Sequence, residues 1–347
     1  MINLIGYPEE DLKQLFIDWE VPPYRVGQLC NWVYNHRIRQ FEEMTNLSKD
    51  LRAKLAEHFY IGLPRIAGKT HSRDGSIKYL MELESGSQVE SVWMPDESRK
   101  TLCISSQAGC RLACSFCMTA TMGLKGNLTA GEIIGQYMAV NEDLAEADKI
   151  TNVVMMGMGE PLDNYDEVCK ALRLMVSPQA LRISNRKVTL STAGLVERIN
   201  QFAQENIHVN LAVSLNATDD ATRDEIMPIN KKYPIKTLME CLKSYPLKPT
   251  RRITFEYVLL KGINDSDEDA VRLGKLMSTM RCKINLIPFN AFEGSPYQPP
   301  SPERIKSFQN YLISRKYSVF IRKNRGTDIL GACGQLAAQA LADSPAH

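Results

Sequence analysis

The chain has 347 residues, of which 44% are hydrophobic and 24% are charged, and its formal net charge is +2. This composition is ordinary for a globular protein, and the length suits one large domain and one small one. No apolar run approaches the roughly 20 residues of a membrane-spanning helix, and the N-terminus lacks the pattern of a secretory signal. Nine cysteines in such a chain predict a cytoplasmic protein whose thiols bind metal or react.

Residues 1–62 predict a small helical domain. Apolar residues recur at helical spacing within residues 24–39, which indicates an amphipathic helix. Ser48 is placed to cap a second helix over residues 49–59.

Residues 63–95 have the alternating pattern of strands. Residues 77–83 and 88–94 flank the turn sequence Glu84-Ser-Gly-Ser87, which predicts a β-hairpin that links the helical domain to the rest of the chain.

Strands and helices alternate from residue 96 to residue 347. We expect an α/β fold in which six parallel strands and their helices form a (βα)6 partial TIM barrel, rather than a doubly wound sheet. A last strand is expected at residues 319–322. Reacting groups in barrels lie on the loops that follow the strands. The six predicted strands cover residues 101–105, 152–156, 187–190, 208–214, 252–260 and 283–288.

A cysteine-rich loop follows the first of these strands. Cys110, Cys114 and Cys117 have the spacing C-x3-C-x2-C. Structural zinc usually takes four protein ligands, and the chain offers no second close cysteine pair and no histidine at zinc-finger spacing. We therefore favour a [4Fe–4S] cluster with one iron left open, with zinc or three buried structural thiols as the alternatives.

Polar residues follow the later strands. Gly159 lets the backbone approach a ligand, and Glu160 can accept a hydrogen bond from an ammonium group. Ser191, the run Ser214-Leu215-Asn216 and Asn290 follow other strands, although single serines and asparagines are also typical of turns.

Near the C-terminus, Gly331 and Gly334 flank Cys333, which indicates either a loop that presents a thiol or a buried small side chain. Basic residues form three clusters that either line an RNA path or belong to solvated surfaces. The clusters are Arg182, Arg186 and Lys187; Lys248, Arg251 and Arg252; and Arg315, Lys316, Arg322, Lys323 and Arg325.

Seven blocks, in this order, resemble one family over nearly the whole chain: the radical S-adenosylmethionine (SAM) RNA methyltransferases that act on adenine C2, with close relatives that act on C8. The blocks are Cys103-Ile-Ser-Ser-Gln-Ala-Gly-Cys110, Asn127-Leu-Thr-Ala-Gly-Glu-Ile133, Met156-Gly-Met-Gly-Glu-Pro161-Leu, Val188-Thr-Leu-Ser-Thr-Ala-Gly194, Arg223-Asp-Glu-Ile-Met-Pro-Ile-Asn230, Ile287-Pro-Phe-Asn290 and Ala332-Cys333-Gly-Gln-Leu336.

The resemblance implies a role for each candidate residue. Cys333 would carry a methyl group as S-methylcysteine, and Cys103 would resolve the resulting protein–RNA adduct by forming a disulfide. Glu90 matches the family's proposed proton acceptor, although in isolation it is typical of a surface strand residue. The cluster would be held by Cys110, Cys114 and Cys117, and SAM would be contacted by Gly159, Glu160, Ser191, Ser214, Leu215, Asn216 and Asn290.

The resemblance also implies the substrate and partners. It implies methylation at C2 of adenine 2503 in 23S rRNA and of adenine 37 in some tRNAs, with two SAM molecules used per turnover. We expect an electron donor such as flavodoxin or ferredoxin, no membrane, and a monomer. A C8-methylating enzyme is the alternative, and a non-catalytic metal-containing RNA-binding protein is a remote one, since binding alone needs neither Cys103 nor Cys333.

Two features depart from the family's usual pattern, and two others help to choose within it. The last cluster cysteine is followed by Met118-Thr119-Ala120-Thr121-Met122-Gly123 where Ala-Thr-Gly is usual, and Asn216 stands where histidine is more usual. Pro161 and Pro288 fit the C2 enzyme better than the C8 enzyme.

Overall fold

The computed structural model describes residues 1–338, and its N-terminal part is helical. Strand β1 (Ile2–Asn3) pairs in parallel with β2 (Phe59–Tyr60), and α1 (Glu9–Asp18), α2 (Arg25–Cys30) and α3 (Lys49–His58) lie between them in sequence. The predicted cap of α3 is confirmed, because Ser48 Oγ accepts a hydrogen bond from Leu51 N at 3.3 Å.

The predicted helix over residues 24–39 is wrong in its length. Helix α2 ends at Cys30, and Asn31–Asn35 form a wider π-helical turn in which His36 N donates to Asn31 O. Arg37 then has a left-handed φ of 58°, which a right-handed helix cannot contain.

Three antiparallel strands follow the helices. They are β3 (Arg65–His71), β4 (Ile77–Glu82) and β5 (Gln88–Pro95). Strands β4 and β5 are the predicted hairpin, and β3 is an additional strand. Strand β5 pairs with β6 (Lys100–Cys103), so the hairpin continues directly into the main sheet.

The remaining chain alternates between strands and helices. Strand β6 is followed by β7 (Gln107–Gly109), the short helix α4 (Met118–Thr121) and β8 (Leu124–Asn127), which pairs with β7. The later elements are α5 (Ala130–Asp143), β9 (Asn152–Met155), α6 (Tyr165–Val176), β10 (Val188–Thr192), α7 (Val196–Phe202), β11 (Asn210–Ser214), α8 (Asp220–Ile226), α9 (Ile235–Ser244), β12 (Ile253–Leu259), α10 (Asp267–Met277), β13 (Cys282–Pro288), α11 (Pro302–Ser314) and β14 (Val319–Ile321).

The main sheet has ten strands in the order β14-β13-β12-β11-β10-β9-β6-β5-β4-β3. Strands β6 and β9 to β14 are parallel to their neighbours in this series, so the six predicted barrel strands are present and the predicted last strand is the seventh. These seven strands follow one another in sequence order without the reversal of a doubly wound sheet, and the series does not close, which confirms the α/β partial barrel. In the described part of the chain, no helix is both long enough and apolar enough to cross a bilayer.

The N-terminal segment lies directly against the start of α5. A Cβ atom on Gly131 would lie 2.3 Å from Ile5 O, and one on Gly6 would lie 2.1 Å from Gly131 N, so glycine is required for this backbone contact. Buried side chains of the N-terminal helices and of the barrel form one continuous hydrophobic core. The helices and the barrel are therefore packed together.

Candidate active site

The three cysteines of the C-x3-C-x2-C motif lie on the loop between β7 and α4. The loop begins at Gly109, where φ is 76° and a Cβ atom would lie 1.8 Å from Gly123 O. Cys110 N donates to that same carbonyl at 3.0 Å, and Cys117 N donates to Cys114 O at 3.1 Å. These contacts fix the loop so that all three cysteines border one cavity of about 170 Å³.

The three thiols fit the donor set of a [4Fe–4S] cluster. Burial raises the pKa of Cys110 to about 12 and also raises the pKa of Cys114 and of Cys117, because a thiolate is poorly solvated there. A metal centre stabilises the thiolates of its ligands. Each thiolate of a cluster binds its own iron, so thiols placed around a cavity suit it. Within residues 1–338, no three His, Cys, Asp or Glu side chains converge on the position of a single ion.

The same cavity is bordered by six of the seven residues expected to contact SAM. Leu215 is the exception: its side chain is fully buried in the core, and its backbone N–H donates to Glu256 O at 3.0 Å. Successive side chains of an extended chain point to opposite sides, which explains why its neighbours reach the cavity and Leu215 does not. The six are Gly159, Glu160, Ser191, Ser214, Asn216 and Asn290.

Glu160 connects the loops that follow β9 and β10. One carboxylate oxygen accepts a hydrogen bond from Leu162 N at 3.1 Å and the other from Ala193 N at 2.7 Å. Burial raises the pKa of Glu160 to about 7, although these hydrogen bonds favour the ionised form. Gly159 beside it has φ of 96°, and a Cβ atom there would lie 2.5 Å from Gln107 Cβ. Both residues therefore shape the cavity as well as border it.

The two asparagines have different surroundings. Asn216 has a left-handed φ of 57°, which asparagine tolerates better than most residues, and its Oδ1 accepts from Val258 N at 2.9 Å. Asn290 Nδ2 donates to Cys333 O at 3.2 Å, while Asn290 Oδ1 is buried with no hydrogen-bond partner among the described residues. Asn290 thus holds the backbone of Cys333, and its side-chain oxygen lacks a donor among the described residues.

Cys333 lies between two cavities. It borders the large one with the three motif cysteines and a smaller one of about 20 Å³ with Cys103. Burial raises the pKa of Cys103 to about 12, and a Cys333 thiolate adds to that effect while Arg322 opposes it. All nine cysteines of the chain are free thiols. Cys333 is therefore the thiol that adjoins both the motif cysteines and a second reactive sulfur.

Glu90 is buried, with 2% of its surface exposed, so the reading of it as a surface strand residue is wrong. Its Oε1 forms an ion pair with Lys78 Nζ at 2.9 Å, and its Oε2 accepts from Ala337 N at 2.9 Å. Glu90 borders neither of the two cavities that Cys333 joins. Glu90 instead fixes the backbone of the segment that follows Cys333, through its hydrogen bond with Ala337 N.

Two charged residues of the site were missed by sequence reasoning. Glu256 on β12 and Arg322 after β14 both border the large cavity, and their charged groups lie 3.9 Å apart. In the sequence, Glu256 could have been noticed as a carboxylate within the mostly apolar strand β12. Arg322 was assigned to a basic surface cluster, but its side chain is only 23% exposed and it borders both cavities.

The other two basic clusters lie away from the cavity. Arg186 and Lys187 precede β10, and Arg251 and Arg252 precede β12, so both clusters lie at the N-terminal ends of the strands. Arg251 joins them, because Nη2 donates to Asn185 Oδ1 at 2.9 Å. The cavity lies at the opposite, C-terminal ends of the strands.

Comparison with known proteins identifies the family. The model described as "Ribosomal RNA large subunit methyltransferase N-terminal domain" matches residues 2–61, and the "Radical SAM superfamily" model matches residues 104–274. The dual-specificity RNA methyltransferase RlmN of Desulfosudis oleivorans is 49% identical over 97% of this chain and 93% of its own length. The RlmN of Paracoccus denitrificans is 48% identical over 96% of this chain and 89% of its own length.

A crystal structure of a radical SAM methyltransferase from Sphaerobacter thermophilus has a TM-score of 0.90 and 39% identity, and the match covers 98% of this chain and 100% of that one. The match therefore extends over the helices, the hairpin and the barrel together. The chain belongs to the RlmN family of dual-specificity radical SAM RNA methyltransferases, and its cofactors are a [4Fe–4S] cluster and SAM.

Proposed function

We propose that this enzyme methylates C2 of adenine 2503 in 23S rRNA and C2 of adenine 37 in some tRNAs. The relatives' names describe RNA methyltransferases of dual specificity, which agrees with two RNA substrates. The observation that carries the proposal is the position of Cys333, which borders the cavity of the three motif cysteines and shares a second cavity with Cys103. A methyl-carrying thiol has to reach both the cofactor and the thiol that releases the product.

We assign the cluster to Cys110, Cys114 and Cys117, and the SAM site to the six cavity residues named above, with Leu215 shaping it through its backbone. When bound, the two cofactors supply the methyl group, an electron and radical chemistry. Radical chemistry is required because adenine C2 is a poor nucleophile. Cys333 first accepts a methyl group as a thioether, since a thiolate is a good nucleophile. The walls of the cavity exclude water from this chemistry.

Cys103 then releases the product. Once the Cys333 methylene carbon is bonded to adenine C2, the adduct loses the C2 proton and one electron, for which the oxidised cluster would be the acceptor. The Cys103 thiolate then attacks the Cys333 sulfur and forms a disulfide. The carbon–sulfur bond breaks, its electron pair stays on the carbon, and that carbon takes up a proton to become the new methyl group. An external thiol must supply two electrons to reduce the disulfide before the next turnover.

The proton that leaves C2 goes to Cys103 or to Glu90. Cys103 is the acceptor that already lies in the small cavity with Cys333. Glu90 accepts from Ala337 N and pairs with Lys78, so it needs these partners to move before it faces the base.

The target adenine has to leave its base stack to reach Cys333. We assign RNA contacts to the helical domain of residues 1–62, which precedes a hairpin of residues 63–95 and a barrel domain of residues 96–347. Residues 339–347 of that last range lie outside the described residues. We further propose a monomer in the cytoplasm that receives electrons from flavodoxin or ferredoxin.

The decisive experiment identifies the methylated carbon. An rRNA fragment with deuterium at C2 or at C8 of the target adenine is incubated with the enzyme, SAM and a reductant, and the digested RNA is examined by mass spectrometry. We expect 2-methyladenosine and loss of deuterium from C2 alone. Loss of deuterium from C8 with C2 retained would overturn the C2 assignment in favour of the C8 enzyme, while unmodified RNA would contradict the choice of substrate.

A further inference from the structure

Five loops of the barrel share an excess of positive charge. They lead from a helix into β10, β11, β12, β13 and β14, and together they contain nine Arg and Lys residues and one acidic residue, Glu205. Their formal charge is therefore +8, whereas that of the whole chain is +2. The loops cover residues 177–187, 203–209, 245–252, 278–281 and 315–318.

The five loops lie side by side, because β10 to β14 are successive neighbours in the sheet. Neighbouring strands are about 4.8 Å apart, so the row extends over roughly 20 Å. The row ends at β9, because residues 144–151 before β9 and residues 96–99 before β6 each contain two acidic residues and one basic residue. All nine cations are exposed except Arg251, which is half-buried. The nine, which we call the basic arc, are Arg182, Arg186, Lys187, Lys248, Arg251, Arg252, Arg281, Arg315 and Lys316.

Arginines of the loop before β12 join the arc into one surface. Arg251 Nη2 donates to Asn185 Oδ1 before β10 at 2.9 Å and to His208 O before β11 at 3.2 Å. Arg252 Nη1 donates to Ser318 Oγ before β14 at 3.0 Å. All three acceptors are neutral, so these bonds fix the loops without reducing their charge.

The arc lacks compensating negative charge in the part of the chain that the structure describes. None of its nine cations forms an ion pair with a carboxylate of residues 1–338. Glu205 pairs instead with Arg173 of α6. Burial lowers the pKa of Arg251, and the nearby charge of Arg186 lowers it further. Like charges held together repel one another, and a bound polyanion would relieve this repulsion.

RNA is the polyanion on which the family of this chain acts. The helical domain of residues 1–62 contains nine acidic and seven basic residues, so its net charge does not attract a phosphate backbone. The basic arc has the charge that this domain lacks. Strands β12 and β13 have seven residues each, which places the arc about 23 Å from the cavity end of the barrel. A duplex extends about 3 Å per base pair, so a stem of about ten base pairs covers that distance.

We propose that the basic arc binds phosphates of an RNA helix that flanks the target adenine, on the face of the barrel opposite the cofactor cavity. The inference rests on the RNA substrates assigned under Proposed function and adds a second contact surface for them. Phosphate contacts add affinity but carry no sequence information. The same arc can therefore serve two RNA substrates of different sequence.

The test compares two RNA hairpins with the same target loop, one with a stem of about 6 base pairs, which is too short to reach the arc, and one with about 20. Their affinities for the cluster-loaded protein are measured by fluorescence anisotropy at several salt concentrations. The arc variant combines Arg186→Gln, Lys187→Gln and Lys248→Gln, which change three exposed side chains.

We expect the arc variant to bind the long hairpin roughly ten- to a hundredfold more weakly at physiological salt, because up to three phosphate contacts are lost. For the same reason, the slope of log affinity against log salt concentration should become smaller by about 2. The short hairpin should bind equally well to the variant and to the unchanged enzyme.

The matched control removes three exposed lysines from the barrel helices α9, α10 and α11 and should leave both affinities nearly unchanged. It combines Lys236→Gln, Lys275→Gln and Lys306→Gln. Iron content reports correct folding of each variant. The proposal is overturned if the arc variant binds the long hairpin as tightly as the unchanged enzyme, if it loses affinity for both hairpins alike, or if the control loses as much. Methylation of the short hairpin at C2 by the unchanged enzyme tests the proposed function separately, so the two failures are distinguishable.

Discussion

Thr119 Oγ1 donates a hydrogen bond to Leu336 O at 2.6 Å, and this bond joins the cluster loop to the segment that carries Cys333. Thr119 stands two residues after the last motif cysteine, and Leu336 stands three residues after Cys333. Met118 N adds a second bond, to Gly334 O at 2.7 Å. The sequence after Cys117 therefore has a structural role, since Met118 and Thr119 position the loop that contains Cys333, the proposed methyl carrier.

Replacing Thr119 by valine removes the donor but keeps the shape of the side chain. Because the Leu336 carbonyl then lacks a partner in a buried place, we expect a loss of about 1–3 kcal/mol in the free energy of unfolding. Methyl transfer to Cys333 should also slow, while the iron content stays unchanged. Urea denaturation and mass spectrometry of the Cys333 peptide measure the two effects. Thr121→Val is the matched control, because that exposed hydroxyl bonds only within its own turn, to Met118 O; equal effects in both variants would contradict this role.

Changing Cys114 to alanine should remove the cluster. Anaerobically reconstituted protein should hold about four iron atoms per chain, as one [4Fe–4S] cluster requires, and the variant should hold none. Iron analysis and visible absorption measure this. Cys169→Ala is the control, because Cys169 is buried on α6 and borders neither of the two cavities at Cys333. Stoichiometric zinc without iron would be inconsistent with the cluster assignment.

Variants that lack one of the two thiols of the small cavity should stop the reaction at different steps. Cys333→Ala should abolish methylation and leave no methyl group on the protein, because it removes the carrier. Cys103→Ala should allow the carbon–carbon bond to form but not its release, so RNA should stay covalently attached to Cys333. Denaturing gels with labelled RNA separate these outcomes. Normal turnover by Cys103→Ala would rule out its resolving role.

Cys103 should be a slow nucleophile in the resting enzyme. Its pKa is raised to about 12, mainly by burial, so its thiolate fraction and its alkylation rate should rise about tenfold per pH unit between pH 7 and 10. Arg322→Met should slow the reaction further, since Arg322 lowers this pKa, and Cys333→Ala should speed it, since a Cys333 thiolate raises it. Iodoacetamide labelling followed by peptide mass spectrometry measures the rates. Arg315→Met, which changes an exposed arginine, should leave the rate unchanged. A rate that is already independent of pH near neutrality would disprove the raised pKa.

The barrel and most of its site were predictable because their signals are local. The alternation of strand and helix patterns located the strand ends, and residues at the C-terminal ends of parallel strands necessarily meet at one edge of the sheet. This is why Gly159, Ser191 and Asn290 were noted at strand ends, although only the family resemblance assigned them to SAM. Leu215 was included among the expected SAM contacts only as part of the run Ser214-Leu215-Asn216. Side chains alternate along an extended chain, so a cavity-facing Ser214 indicates that the Leu215 side chain points away from the cavity.

The features that sequence reasoning missed depend on contacts between distant parts of the chain. Glu90 looked like a surface strand residue because its partner Ala337 lies 247 positions away. Arg322 looked like a member of a basic surface cluster because nothing beside it in sequence shows that Glu256 and the two thiols surround it. The end of the helical run that begins with α2 was missed because it depends on the left-handed conformation of Arg37, which arginine seldom adopts.

The bond between Thr119 and Leu336 spans 217 positions, and the bond between Glu90 and Ala337 spans 247. Both end in the segment that follows Cys333, which is synthesised after strands β1 to β14. A nascent chain can therefore complete the helices, the hairpin and all the strands while the cavity beside the motif cysteines still lacks one wall. That wall and Cys333, the proposed methyl carrier, arrive together, so the proposed methyl acceptor is absent at any earlier stage of synthesis.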